Sequence, residues 1–168
     1  MRALVWIVED SWQATVAAAA AFLPAEAEVT LLHVVDVEAE RVVHVARDAL
    51  LGRGRAPERA DADPLAAISE QAAKELLADA QAALGTAAEC RSLRGRIERE
   101  VVAATDGMDV LILARDGDRK HLGPRSLGPA ARFVVDHAAC QVLLIWPDAA
   151  PSVASIAPDP GPSAPPHV

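Results

Sequence analysis

Basic residues are in short supply in this chain of 168 residues: 16 Lys and Arg stand against 24 Asp and Glu, a formal net charge of −8. Broad nucleic-acid binding needs a basic face that displaces counterions, so this balance argues against it. Cysteine is scarcer still, with only Cys90 and Cys140. No CxxC and no Cys/His spacing suggests a zinc site. Both thiols are expected as small buried residues of a protein in a reducing cytoplasm. No apolar run approaches the length that spans a membrane. Arg2 before "ALVWIV" imitates a secretory leader, but Glu9 and Asp10 interrupt that run too early. Catalytic signatures are missing as well. There is no GxSxG nucleophile elbow and no GxxxxGK(S/T) phosphate loop. The five histidines form no metal motif, and no Ser/His/Asp set can be placed. The expectation is a soluble cytoplasmic protein that is not an enzyme, with neither membrane nor nucleic acid as partner.

What is present is apolar: 52% of residues, enough to exclude a disordered chain. The length suits one domain with a real core. "ALVWIV" (3–8), "EVTLLHVVD" (28–36), "DVLILA" (109–114) and "CQVLLIWP" (140–147) read as buried strands. "ECRSL" (89–93) is a weaker, shorter one. Asp10 or Ser11 can cap a helix through "WQATVAAAAAFL", which stops near Pro24. Residues 37–63 are less regular. Val42, Val45 and Leu50 have helical spacing, and a mobile loop follows at 51–63, where Arg53, Arg55 and Arg59 are expected to be solvated, with a lid over a ligand as the alternative. Pro64 starts a helix whose inner face is Leu65, Ile68, Ala72, Leu76, Ala80 and Leu84. Further helices are expected at 96–105 and about 128–138, with His33 and His137 as packing residues. Residues 149–168 are Pro, Ala, Ser and Gly with few large apolar side chains, which predicts a disordered tail behind a domain of residues 1–148.

Strands buried on both faces, alternating with helices, imply an α/β domain around a parallel sheet. Right-handed crossovers leave few topologies. The expected one is a single doubly wound, Rossmann-like domain: five parallel strands in the order 3-2-1-4-5, with helices on both faces. Its winding reverses between strands 1 and 4. Ligands in such sheets bind outside the carboxyl ends of the strands at that reversal. Glu9, Asp10 and Ser11 follow strand 1, so they face the loop after strand 4, with Asp10 beside Arg115 and Gly117.

That loop, "ARDGDRKHLGPRSLGPA" (114–130), gathers glycines and cations in an acidic chain. Glycines let backbone approach an anion, and a helix N-terminus adds free N–H groups and a positive dipole. The helix start at Gly128 and Pro129 is the natural phosphate seat. Pro129 brings no N–H. Ala130 and Ala131 bring amides, Ser126 a hydroxyl and Arg125 a charge. Asp10 suits a ribose or an adenine amine, with a helix cap as its plain alternative. Val34 suits an apolar wall for a base, with core filler as its alternative. Locally, phosphate cradle and simple connector both stay open; the position at the reversal favours the cradle.

With "EDS" after strand 1, "LLHVVD" in strand 2 and "VLILARDGDRKHLGPRSLGPAARFVVDHAACQVLLIWP" beyond, the chain resembles the universal stress protein family. The resemblance covers about residues 2–147 and is strongest at 109–147. It implies the same fold, ATP binding at the reversal in many members, and dimerisation through the last strand. Nucleotide-binding members carry Gly, two residues, Gly, nine residues, Gly, then Ser or Thr. Here Ala114 takes the first glycine position and Gly117 the second, ten residues separate Gly117 from Gly128, and Pro129 stands where the Ser or Thr would be. Asp10 occupies the place of an aspartate that contacts adenine. His33-Val34 matches the pair whose valine lines the base pocket. The implied site is Asp10, Val34, Ala114, Arg115, Gly117, Arg125, Ser126, Gly128, Pro129 and Ala130. It would hold ATP or another adenine nucleotide, with Mg2+ only alongside it. The implied protein is a stress-response sensor or regulatory module, with slow hydrolysis at most. The alternative is a nucleotide-independent dimeric interaction module with a degenerate phosphate loop. Either would form a homodimer through residues 140–146. An adenine-nucleotide hydrolase of related fold needs a Gly-rich loop after strand 1, and "EDSWQAT" has no glycine.

Overall fold

Side chains alternate along a strand, so a strand that is apolar at every position demands cover on two faces. The computed structural model, which describes residues 1–38 and 64–156, shows that cover. The strands are β1 (Arg2–Trp6), β2 (Glu28–Asp36), β3 (Ala88–Gly95), β4 (Val110–Ala114) and β5 (Gln141–Ile145). The helices are α1 (Trp12–Phe22), α2 (Pro64–Leu84), α3 (Ile97–Ala104) and α4 (Pro129–His137). Short 3-10 turns lie at Pro124–Ser126 and Val153–Ser155. All five strands are parallel, in the order β3-β2-β1-β4-β5. This is the expected doubly wound α/β sheet.

Alternation divides the core in two. Leu4 and Trp6 of β1 pack with Leu32, Val34, Leu111 and Leu113 beneath Val101 of α3 and Ala131 and Val134 of α4. Val5 and Ile7 face the other way, with Leu31 and Ile112, beneath Val16 and Ala19 of α1 and Leu77, Ala80 and Leu84 of α2. Alanine favours the helix that α1 forms, and Ala19 is fully buried against the sheet. Among the described residues no helix is long and apolar enough to cross a membrane.

Several local expectations need correction. Neither Asp10 nor Ser11 caps α1 with its side chain. Ser11 sits at the N-cap, and its carbonyl accepts from the amide and hydroxyl of Thr15 at 3.1 and 3.0 Å. The inner face of α2 is turned by one residue along its first half: Ala73 and Leu77 are buried, while Ala72 is exposed and Ile68 is 65% exposed. Neighbouring Ala/Leu stripes look alike in the sequence, and only the sheet's position selects one. Cys90 is exposed and Cys140 half-buried, so neither is the buried thiol expected. Cys90 lies on an edge strand that, among the described residues, is paired on one side only. That strand, β3, runs alongside β2 for eight residues, longer than its short apolar run suggests. Charged residues such as Glu89, Arg91 and Arg94 guard the edge and hide it from an apolar reading. His137 is exposed, stacked on Phe133 with ring centroids 4.0 Å apart. Residues 149–156 are described, and the Ser155 hydroxyl accepts a hydrogen bond from Leu122 N at 3.0 Å. The helical spacing at Val42, Val45 and Leu50, the loop 51–63 and residues 157–168 lie outside the described residues.

The face of α2 can be checked by unfolding in urea. Leu77→Ala should cost about 2–5 kcal/mol, and Ile68→Ala should stay within about 0.5 kcal/mol of wild type.

Candidate functional site

β1 and β4 are neighbours, with Leu4 in register with Leu111. From β1 the chain turns to α1 on one face; from β4 it passes to α4 on the other. A cleft of about 120 Å³ lies between the diverging connections. Trp6, Val8, Val34, Ile97, Ala114 and Ala130 supply its apolar walls, and Glu9, Ser11, His33 and Asp116 its polar groups. Small-molecule pockets run to about 300–1,000 Å³. This cleft therefore takes a base-sized group, with the rest of any ligand outside it. A larger hollow of about 380 Å³, beside Arg2, Glu28 and Met108, lies at the opposite end of the sheet. Doubly wound sheets bind at the carboxyl ends of their strands, so the smaller cleft is the candidate.

The loop after β4 is held closed by its own backbone. Gly117 N donates to Ser126 O at 3.1 Å, and Asp118 N donates to Arg125 O at 2.8 Å. A Cβ on Gly117 would lie 2.2 Å from Arg125 O, so glycine is what lets the two segments touch. Ala114 ends β4 almost fully buried. Among the described residues no non-glycine has a positive φ, so the alanine sits there without backbone strain. At the loop's far end Asp118 accepts from Lys120 N and pairs with His121 Nδ1, both at 2.8 Å. These two contacts hold the Asp118 carboxyl below the usual carboxylate range. Their contribution is present above that range and is lost as pH falls through the depressed value.

The fold recurs in solved structures. The chain superposes on the hypothetical protein MJ0577 with a TM-score of 0.60 and 20% identity, over 86% of this chain and 94% of that one. It superposes on universal stress protein UspA from Lactobacillus plantarum with a TM-score of 0.52 and 18% identity, over 86% and 97%. A universal stress protein in complex with cAMP gives 0.57 and 15%, over 88% and 98%. The chain has the fold of the universal stress proteins. No family model matches it, and no curated protein matches its sequence.

On this universal-stress fold the loop's cations are largely turned onto the chain itself. Arg115 lies over the Trp146 ring, 4.7 Å from its centroid, and donates to Ser126 Oγ. Ser126 is fully buried, and its hydroxyl donates to Gly123 O at 2.7 Å. Arg119 reaches Asp10 at 2.5 Å and Asp148 at 3.6 Å. Arg132 donates to the carbonyls of Pro124 and Leu127. Arg125 and Lys120 are exposed and do not line the cleft. The neighbour of Asp10 is thus Arg119, where Arg115 was expected, and the Ser126 hydroxyl points inward rather than to a ligand. Val34, Ala114 and Ala130 line the cleft, and Gly128 and Pro129 stand at the start of α4 beside it.

One residue that sequence reasoning passed over matters here. Asp116 Oδ1 accepts a hydrogen bond from Gly128 N at 2.6 Å. The carboxylate lies so close that a Cβ on Gly128 would meet its Oδ2 at 2.8 Å. An anion at a helix N-terminus is favoured by the dipole. The available signal was an acid set between Arg115 and Gly117 in a cation-rich loop. Trp146, the platform for Arg115, was also missed. His33 is nearly buried; its Nδ1 donates to Ile7 O at 3.0 Å, leaving Nε2 3.7 Å from Glu9. Among the described residues no cluster of three or more His, Cys, Asp or Glu suits a metal.

Gly117→Ala should lower stability by about 1–3 kcal/mol, the usual cost of overpacking, read as a fall in thermal midpoint. An unchanged midpoint would mean the loop does not close on itself as described.

Proposed function

We propose that this chain is a universal-stress-type regulatory module whose cleft at the β1/β4 reversal binds an adenine nucleotide, ATP in the family pattern. The observation that carries the reading is the cleft itself: apolar walls from Trp6, Val34 and Ala114, with acceptors at its rim. A flat aromatic base fills such walls. Carboxylates such as Glu9 and the nearby Asp10 can accept from a base amine or a ribose hydroxyl. The first turn of α4 adds the amides of Ala130 and Ala131, which a helix leaves without intrahelical partners. A fold neighbour is named as a complex with cAMP, an adenine nucleotide, which supports the same ligand class here. Mg2+ enters only as the companion of a nucleotide.

Calorimetry on the full chain with adenosine, AMP and ATP is the test. Saturable binding of at least one at or below millimolar concentration is expected. No heat with any of the three ends this reading.

The alternative is a nucleotide-independent dimeric module, and the edge of the sheet favours its dimer. Among the described residues β5 pairs with β4 alone. Gln141 N donates to Asp109 O, and Ile145 O accepts from Arg115 N. Residues 141, 143 and 145 therefore bond toward β4, while Val142 and Leu144 turn their N–H and C=O groups to the open edge. Residues 142–146 are half-buried and apolar, and such an edge seeks a partner strand. The proposed homodimer through residues 140–146 would use this edge. Val142→Pro removes an outward N–H without touching the β4 ladder and should convert dimer to monomer in sedimentation equilibrium. A wild-type chain that stays monomeric at high concentration would remove the dimer.

A further inference from the structure

We propose that Asp116 is a built-in occupant of the phosphate seat, so that the cleft selects neutral adenine nucleosides over their phosphorylated forms. This rests on the adenine site proposed above and departs from the ATP preference stated there, placing the nucleoside first. The seat at the start of α4 has few donors to begin with. Pro129 has no N–H. Gly128 N is held by Asp116 Oδ1 at 2.6 Å. The carboxylate lies against Gly128, with Oδ2 2.8 Å from where a Cβ would stand. The glycine expected to admit a phosphate thus admits the chain's own acid instead.

Charge points the same way. Asp116 and Glu9 both line the cleft, and among the described residues no Arg or Lys does. Three arginines of the β4 loop and α4 are engaged elsewhere: Arg115 with Ser126 and Trp146, Arg119 with Asp10 and Asp148, Arg132 with backbone carbonyls. A phosphate entering the seat would meet the Asp116 carboxylate first, with the exposed Arg125 and Lys120 outside the cleft. Like charges at contact distance near a protein surface repel by a few kcal/mol at most, since both carboxylates are exposed. A nucleoside has the opposite fit. Its ribose hydroxyls and base amine are donors, and carboxylates are acceptor-only groups. The cleft's volume of about 120 Å³ suits the base that all three ligands share, so the discrimination falls on the seat beside it.

The test compares adenosine, AMP and ATP by calorimetry on the full chain, wild type and Asp116→Asn. Asparagine keeps an oxygen that can accept from Gly128 N, so the loop stays closed while the charge goes. Asp79→Asn, on exposed helix surface of α2, removes the same charge far from the cleft. For the wild type, affinity should fall in the order adenosine, AMP, ATP, with about tenfold or more between the ends. Asp116→Asn should strengthen ATP by about tenfold and leave adenosine nearly unchanged, and Asp79→Asn should change neither. The wild-type ranking needs no variant to fold. ATP binding wild type as tightly as adenosine, or Asp116→Asn leaving ATP affinity where it was, overturns this inference while the adenine site stands. Failure of all three ligands with both proteins overturns the adenine reading beneath it.

Discussion

The reversal of winding between β1 and β4 is the constraint on which the rest of this molecule hangs. Right-handed crossovers send the chain from β1 to α1 on one face and from β4 to α4 on the other. Two helices on opposite faces cannot both cover the gap between the strands they follow. The cleft walled by Trp6, Val34 and Ala114 is the space that remains. The same geometry brings Asp10, after β1, within reach of Arg119, after β4, although 109 positions separate them. The two-sided core enforces this arrangement, because Leu4 and Val5, next to each other in sequence, must be buried on opposite faces.

The loop after β4 is organised by a few interactions of unequal weight. Its ion pairs are partly exposed: the Asp10 side chain is 65% accessible and that of Arg119 30%. Such pairs contribute about 0–1 kcal/mol each. Ser126 is different. It is fully buried with its hydroxyl bonded to both Arg115 and Gly123, and stranding a buried hydroxyl costs about 1–3 kcal/mol. The backbone pairing of residues 117–118 with 125–126 and the buried Ser126 therefore hold the loop. The ion pairs mainly decide where its arginines point.

Much of the fold was legible in the sequence because its central strands are apolar on both faces and its turns are marked by Pro and Gly. β3 was only partly legible: Glu89, Arg91 and Arg94 belong to an edge, where charge replaces apolar pattern. The buried stripe of α2 was misplaced by one residue because Ala72-Ala73 and Leu76-Leu77 offer two equal stripes, and the choice belongs to the sheet. The cleft's place followed from topology alone. Its wiring did not, since the direction of a side chain is set by contacts between segments far apart. Arg115 turns to Trp146, 31 positions on, and nothing local announces it. Asp116 looked like one charge among many until its distance to Gly128 gave it a role.

The hydrogen bond from Leu122 N to Ser155 Oγ ties the tip of the β4 loop to the segment that follows β5. A loop braced at its tip, at its neck and through Ser126 has lost most of its conformational freedom before any ligand arrives. The entropy of ordering it is charged to folding, and a binding event inherits the ordered state. Recognition of the ligand proposed for this cleft would thus be closer to docking on an ordered surface than to coupled folding and binding. Its thermodynamic signature should come from desolvating the walls and pairing the rim, with little heat-capacity change from the loop itself.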